Sequence, residues 1–184
     1  MLPRRVVLKG AAIGALVFTV DGVDMVLTPR EAKARDLPLQ TLSEDEAASI
    51  ESLGDVLLPG AKDAGIANYI DHQLSGAPDD CLLVARSVSI PPPYVNFYRA
   101  GLKGLDGASQ AAYQKRFVAL EPPQKIEFVK AFSAKPADGW EGPPSPFFYF
   151  VLRNDATDVV YGTVEGFEKL GVPYMPHITP ERKW

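Results

Sequence analysis

The sequence contains little cysteine and little histidine, and both scarcities limit the chemistry that the chain can support. One cysteine, Cys81, and two histidines, His72 and His177, occur among its 184 residues. A single cysteine excludes an internal disulfide, a thiolate-bound iron–sulfur cluster and a C-x-x-C-H haem attachment within this chain. We expect Cys81 to be a small buried hydrophobe, the commoner role of a lone cysteine, rather than a reactive or intermolecular thiol.

The motifs of nucleotide-binding and hydrolytic sites are also missing. The sequence has no P-loop, no G-x-G-x-x-G and no G-x-S-x-G. Neither an internal nucleotide site nor serine hydrolase chemistry therefore has support. Acidic residues outnumber basic residues by 23 to 19, which gives a net charge of −4. Because nucleic-acid binding needs a basic stripe, nucleic acid is excluded as a partner.

The two histidines do not form a recognisable metal or catalytic site. His72 follows Asp71 and lies one helical turn after Asn68, on what the helical period predicts to be a wet face. A metal site needs three or four ligands, so a ligand or base at this position is the weaker interpretation. His177 stands in a proline-rich loop, where we expect a surface or interface residue.

Two aspartates three residues apart, Asp155 and Asp158, form a further candidate pair, with Arg153 nearby. The spacing permits an acid/base pair. We favour a solvated helix face or a charge contact with another protein. The sequence thus predicts no catalytic, cofactor-binding or metal-binding residues in this chain.

The N-terminus combines basic residues with a weakly apolar run, residues 6–20. A membrane-spanning helix needs about 20 mostly apolar residues, so this run is too short and too diluted to be one. The pattern resembles the twin-arginine export motif, which addresses folded proteins to the periplasm. A short basic membrane anchor is the alternative. The residues that match the motif are Arg4, Arg5, Leu8 and Lys9.

A candidate cleavage site follows this run. Ala32 and Ala34 supply an A-x-A-like sequence. Cleavage after Ala34 would divide the chain into a signal peptide, residues 1–34, and a domain, residues 35–184. The second range has the length of one ordinary domain with enough volume for a core.

The pattern of that range indicates helices joined by loops rich in proline and glycine. Ser43 and Glu46 form a capping box at the start of one helix. Further helices are predicted over 63–74, from 94 onwards, over 124–132 and over 145–161, with Ser145 as an N-cap. Residues 82–90 are a short apolar piece in which Val88 and Ile90 are compatible with an extended conformation, before the prolines at 91–93 break the chain. The prediction is an all-α, single compact domain of about five to seven helices with an irregular tail from Gly162.

Three blocks of residues together resemble a known family. They comprise Leu57-Leu58-Pro59, Gly65-Ile66 and Tyr69-Ile70-Asp71; Tyr98, Gly101-Leu102 and Leu105-Asp106; and Arg153-Asn154-Asp155-Ala156-Thr157, Tyr161-Gly162 and Gly171-Val172-Pro173-Tyr174. In their order and spacing, over roughly residues 42–180, they resemble the small-subunit (subunit 3) family of FAD-dependent gluconate 2-dehydrogenases.

The resemblance implies a non-catalytic subunit without a prosthetic group of its own. The implied partner is a large flavoprotein of the glucose–methanol–choline type, which holds FAD and oxidises a sugar or polyol. A cytochrome subunit with several haem c groups is a further implied partner. The small subunit is implied to aid maturation of the flavoprotein and to carry it through the twin-arginine translocase. Its expected location is the periplasmic face of the inner membrane.

Aromatic residues number 18, and part of them are expected to lie against another protein because a monomer seldom exposes a large apolar patch. Internal packing is the alternative. The predicted interface residues are Phe148, Tyr149, Tyr174 and Trp184. Two other functions stay open, a stand-alone periplasmic helical ligand-binding protein and an independent enzyme.

Overall fold

The computed structural model describes residues 14–20 and 22–172. An antiparallel hairpin of β1 (Leu16–Val20) and β2 (Val23–Leu27) comes first. The α-helices in this part of the chain are α1 (Pro29–Ala34), α2 (Glu44–Leu57), α3 (Ile66–Ser75), α4 (Val84–Ser87), α5 (Val95–Tyr113), α6 (Pro122–Ala134), α7 (Ser145–Tyr161) and α8 (Val164–Lys169). The predicted all-α class is confirmed, and the hairpin is a local addition that the sequence pattern did not predict. Within the described ranges, no helix has both the length and the apolar character that a membrane crossing requires.

Local sequence explains where the helices begin. The Ser43 side chain accepts a hydrogen bond from the Glu46 N–H, and the Glu46 carboxylate accepts one from the Ser43 N–H, as the capping box predicts. The prediction for α7 is wrong in one respect. Ser145 is its first helical residue, and the Ser145 hydroxyl donates to the Phe132 carbonyl at 2.9 Å instead of capping the helix.

Two other segments contain helices that the sequence pattern did not predict. Residues 82–90, described from the sequence only as a short apolar piece, contain the short helix α4. The tail after Gly162, expected to be irregular, contains α8, because the Thr163 hydroxyl accepts a hydrogen bond from the Gly166 N–H and caps a new helix.

Helix α7 lies at the centre of the core. It packs against α2, α3, α5 and α6, which explains why its first turns are apolar on every side. Its fully buried side chains include Phe148, Val151 and Leu152, in one cluster with Ile50 and Leu53 of α2.

Helix α5 is continuous although it contains several glycines. A Cβ at Gly101 would lie 2.1 Å from the Phe148 ring, and a Cβ at Gly104 would lie 2.7 Å from the Glu141 carbonyl oxygen. Each glycine costs a helix about 0.5–1 kcal/mol relative to alanine. Here the missing side chains allow α5 to approach α7 and the loop before it, so the glycines serve packing.

The hairpin and α1 pack as a small buried cluster of Phe18, Leu27 and Ala32. The predicted cleavage site falls within this region. Ala32 is fully buried, and Ala34 is the exposed last residue of α1. The residues predicted to form the export motif lie outside the described ranges; they are Arg4, Arg5, Leu8 and Lys9.

Candidate functional site

One aspartate of the predicted pair lies inside the core. Asp155 has no exposed surface, and its Oδ2 accepts a hydrogen bond from the Tyr98 hydroxyl at 2.7 Å. Burial raises the pKa of Asp155 to about 7, because desolvation of the carboxylate outweighs the stabilisation that the Tyr98 hydroxyl supplies. Burial also raises the pKa of the Tyr98 hydroxyl well above its usual value, and the nearby Asp155 adds to this effect. The pair ties α5 to α7.

Asp158 does not join Asp155 in an acid/base site. Asp158 is exposed, whereas Asp155 is closed off from solvent. A catalytic acid and base must both reach one substrate, and this arrangement does not allow it. The interpretation of the two residues as a solvated helix face is wrong for Asp155, because α7 is surrounded by other helices there.

Asp71 has a structural role, which corrects the prediction of a wet helix face. It is 4% exposed, and its carboxylate accepts hydrogen bonds from the backbone N–H groups of Gln40, Thr41 and Leu42, each at 2.8 Å. Three such bonds satisfy both carboxylate oxygens. They fasten the chain that leads into α2, so Asp71 is not presented to solvent as a base or ligand.

His72 faces the N-terminal hairpin. Its Nε2 lies 2.8 Å from the Val17 carbonyl oxygen, and its ring centroid lies 4.7 Å from that of Phe18. His177 lies outside the described ranges. Over residues 14–20 and 22–172, no group of three or more histidine, cysteine, aspartate or glutamate side chains is placed to hold a metal ion.

The lone cysteine is a core residue, as its sequence context predicts. Cys81 is buried, and burial raises the pKa of its thiol. A thiol whose thiolate form is disfavoured is a poor nucleophile. The prediction of a small buried hydrophobe is confirmed.

The residues predicted to contact a partner have different environments. Phe148 has no exposed surface, because its ring fills the space opposite Gly101, so it is a core residue and not a contact residue. Tyr149 is half-buried and meets the Phe132 ring edge-on at 6.4 Å. Tyr174 and Trp184 lie outside the described ranges, and their contact role stays a prediction.

Three other rings form a partly exposed surface, which we call the aromatic patch: Phe97 of α5, and Phe147 and Phe150 of α7. Phe97 meets Phe147 edge-on at 5.7 Å, and Phe147 stacks on Phe150 at 6.4 Å. Phe150 is 45% exposed. Phe97 also lies 5.8 Å from the buried ring of Phe148, so the core holds the patch in place.

The sequence contains a feature that indicates this patch, the helical spacing of two phenylalanines, which the total number of aromatic residues does not reveal. Phe147 and Phe150 are spaced i, i+3 on α7, beside the face that buries Phe148, Val151 and Leu152. Partly exposed rings that the core holds rigid are typical anchors of protein–protein contacts. The patch is therefore the candidate functional site.

A family model described as "Gluconate 2-dehydrogenase subunit 3" matches residues 44–179. The chain belongs to this family. Searches of curated proteins and of solved structures find no match. The resemblance seen in the sequence is thereby confirmed, and membership of the gluconate 2-dehydrogenase subunit 3 family implies that a dehydrogenase is the partner.

The match to the gluconate 2-dehydrogenase subunit 3 family covers the aromatic patch but not the whole described structure. It begins at the first residue of α2 and includes every helix from α2 to α8. The hairpin and α1 precede it. The candidate contact surface is thus part of the family's domain, whereas the N-terminal segment is an extension that packs on that domain.

Proposed function

We propose that this chain is a non-catalytic small subunit of an FAD-dependent sugar or polyol dehydrogenase of the gluconate 2-dehydrogenase type. The observation that carries the proposal is the family match over residues 44–179. In the proposed complex, a large glucose–methanol–choline-type subunit holds FAD, and a cytochrome subunit with haem c relays electrons. This chain contributes no cofactor of its own.

The aromatic patch supports a subunit role because it offers a preformed contact. Phe150 exposes 45% of its surface, Phe147 stacks on it, and Phe97 packs against Phe147 and the buried Phe148 ring. Removing apolar surface from water contributes about 25 cal/mol per Å². Rings that are already ordered lose little side-chain entropy on binding. We propose that the flavoprotein covers this patch.

We further propose that the chain aids maturation of the flavoprotein and supplies its export address. Arg4 and Arg5, followed by Leu8 and Lys9, match the twin-arginine motif. Because that route carries folded proteins, a partner bound in the cytoplasm would cross with this chain. The complex would then act at the periplasmic face of the inner membrane.

The test is co-expression of the full chain with its candidate flavoprotein partner, followed by FAD-dependent dye reduction in the periplasmic fraction. Arg4→Lys together with Arg5→Lys keeps the charge but removes the motif. We expect periplasmic activity to fall at least tenfold, because lysine does not replace the arginine pair. Arg35→Lys with Arg86→Lys, at two exposed positions outside the patch, is the matched control and should leave activity unchanged. Periplasmic activity that survives the first double change, or the omission of this chain, contradicts the export role.

A further inference from the structure

The segment that contains the predicted cleavage site is a structured unit, which we call the N-terminal clasp, residues 15–20 and 22–34. Its strands pair from Leu16 with Leu27 to Val20 with Val23. The Thr28 hydroxyl accepts a hydrogen bond from the Glu31 N–H, and the Glu31 carboxylate accepts one from the Thr28 N–H, so α1 begins with a complete capping box. Ala32, two residues before the predicted cut, has no exposed surface.

The backbone of the clasp fits closely against α3 and the turn before it. Gly65 has a φ of +83°, and a Cβ there would lie 2.3 Å from the Pro29 carbonyl oxygen. At the other end of the clasp, the Val17 carbonyl oxygen lies 2.8 Å from His72 Nε2, and the Phe18 ring packs on the imidazole. Both contacts require the clasp to be in place, because nothing else in the described chain fills these positions.

Charged side chains connect the clasp to two further helices. Lys33 forms an ion pair with Glu51 of α2, and Glu51 also lies 3.6 Å from Lys62. Arg30 lies 3.3 Å from Glu165 of α8. The Arg30 pair is exposed and contributes little, whereas the Lys33 pair is largely screened from solvent and orients α1. The clasp thus contacts α2, α3 and α8.

We infer that the N-terminal clasp stays in the mature protein, and that any processing of the chain occurs before residue 15 rather than after Ala34. A peptidase needs an accessible, extended backbone, which residues 30–34 provide only if α1 unfolds and Ala32 leaves its packed position. The processing step rests on the proposed export, in which only residues 6–14 of the apolar run precede the clasp and are free to serve as the signal. The packing of the clasp does not depend on export.

Limited trypsin digestion of the purified full chain tests the packing, because Arg30 and Lys33 lie in α1. Gly65→Ala places a methyl group against the Pro29 carbonyl and should release the clasp. Gly60→Ala is the matched control, with a φ of +93° and no atom within 4 Å of its Cβ. Both changes strain a left-handed backbone, but only the first opposes the clasp. We expect cleavage at Arg30 and Lys33 at least tenfold faster in Gly65→Ala than in the control.

A second pair of variants covers the case in which Gly65→Ala does not fold. Phe18→Ala removes a buried ring of the clasp, and Val23→Ala changes an exposed side chain of the same hairpin. Phe18→Ala should expose Arg30 and Lys33, and Val23→Ala should not. Cleavage of the wild-type chain at these sites as fast as in Phe18→Ala, leaving a stable domain, overturns the inference.

The processing step is read from the N-terminal sequence and intact mass of the protein recovered from the periplasm. An N-terminus at or before residue 15 supports the inference, and an N-terminus at Arg35 overturns it. Absence of the chain from the periplasm contradicts the proposed export instead, and the trypsin experiment then decides whether the clasp belongs to the fold.

Discussion

Among single residues, Asp155 makes the core sensitive to pH, because its carboxyl is buried. Its folded-state pKa of about 7 lies above the ordinary value of 3.8. Between these two values, the unfolded chain releases the proton that the folded chain still holds. The stabilising contribution of Asp155 is therefore fully present below about pH 4 and is lost as the pH rises through 7.

Asp155→Asn should remove this pH dependence, because the amide is neutral throughout and its oxygen still accepts the Tyr98 hydroxyl. We expect the free energy of unfolding of the wild type, relative to Asp155→Asn, to fall by up to about 4 kcal/mol between pH 4 and pH 7. Urea denaturation at four pH values between 4 and 8 measures it. Asp63→Asn, at an exposed position, is the control, and its free energy of unfolding should vary with pH in parallel with that of the wild type. If the free energy of unfolding of Asp155→Asn varies with pH in parallel with that of the wild type, the buried carboxyl does not titrate in this range.

At the scale of elements, the contact between α3 and the start of α2 depends on one carboxylate. Asp71 of α3 accepts three backbone N–H groups of residues 40–42. An asparagine can accept with its oxygen, but its NH₂ group would face a backbone donor. A buried donor without a partner costs about 1–3 kcal/mol.

Asp71→Asn should therefore destabilise the domain by about 1–3 kcal/mol and speed hydrogen exchange at the amides of residues 40–42. Chemical denaturation and exchange mass spectrometry measure the two effects. Asp79→Asn, at an exposed position before α4, is the control and should change neither. Wild-type protection of residues 40–42 in Asp71→Asn would rule out the carboxylate as the clamp.

The elements themselves were predictable where the cause is local. The capping box at Ser43 and Glu46 and the buried pattern of α7 depend on neighbours in sequence, and both were identified. The environment of Asp71 and His72 could not be predicted in this way. The helical period describes one helix by itself, whereas the hairpin and residues 40–42, which cover that helix, come from other parts of the chain. The prediction of Phe148 as a contact residue is wrong for the same reason: its burial depends on Gly101, 47 positions earlier.

Across the whole molecule, the aromatic patch and the N-terminal clasp lie at opposite ends of α7. Phe147 and Phe150 belong to its first turns, whereas Gly14, the residue before the clasp, approaches the carbonyl of Gly162, the residue after its last turn. Fifteen helical residues span about 22 Å. A partner on the patch would therefore leave the N-terminal end accessible. The proposed function requires this arrangement, because the chain holds a flavoprotein and presents an export signal at the same time.

This separation predicts that partner binding can be weakened without unfolding the domain. Phe150→Ser removes the most exposed ring of the patch, and we expect the flavoprotein to bind about tenfold to a hundredfold more weakly, a loss of about 1–3 kcal/mol. The thermal midpoint should change little, since the ring is already about half exposed to water.

Leu82→Ser, at a site 64% exposed and outside the patch, is the matched control for loss of an exposed apolar side chain. Affinity capture of the co-expressed flavoprotein by the full chain measures the effect. If Leu82→Ser lowers capture and Phe150→Ser does not, the flavoprotein binds elsewhere, because the two variants differ mainly in which exposed apolar surface they remove.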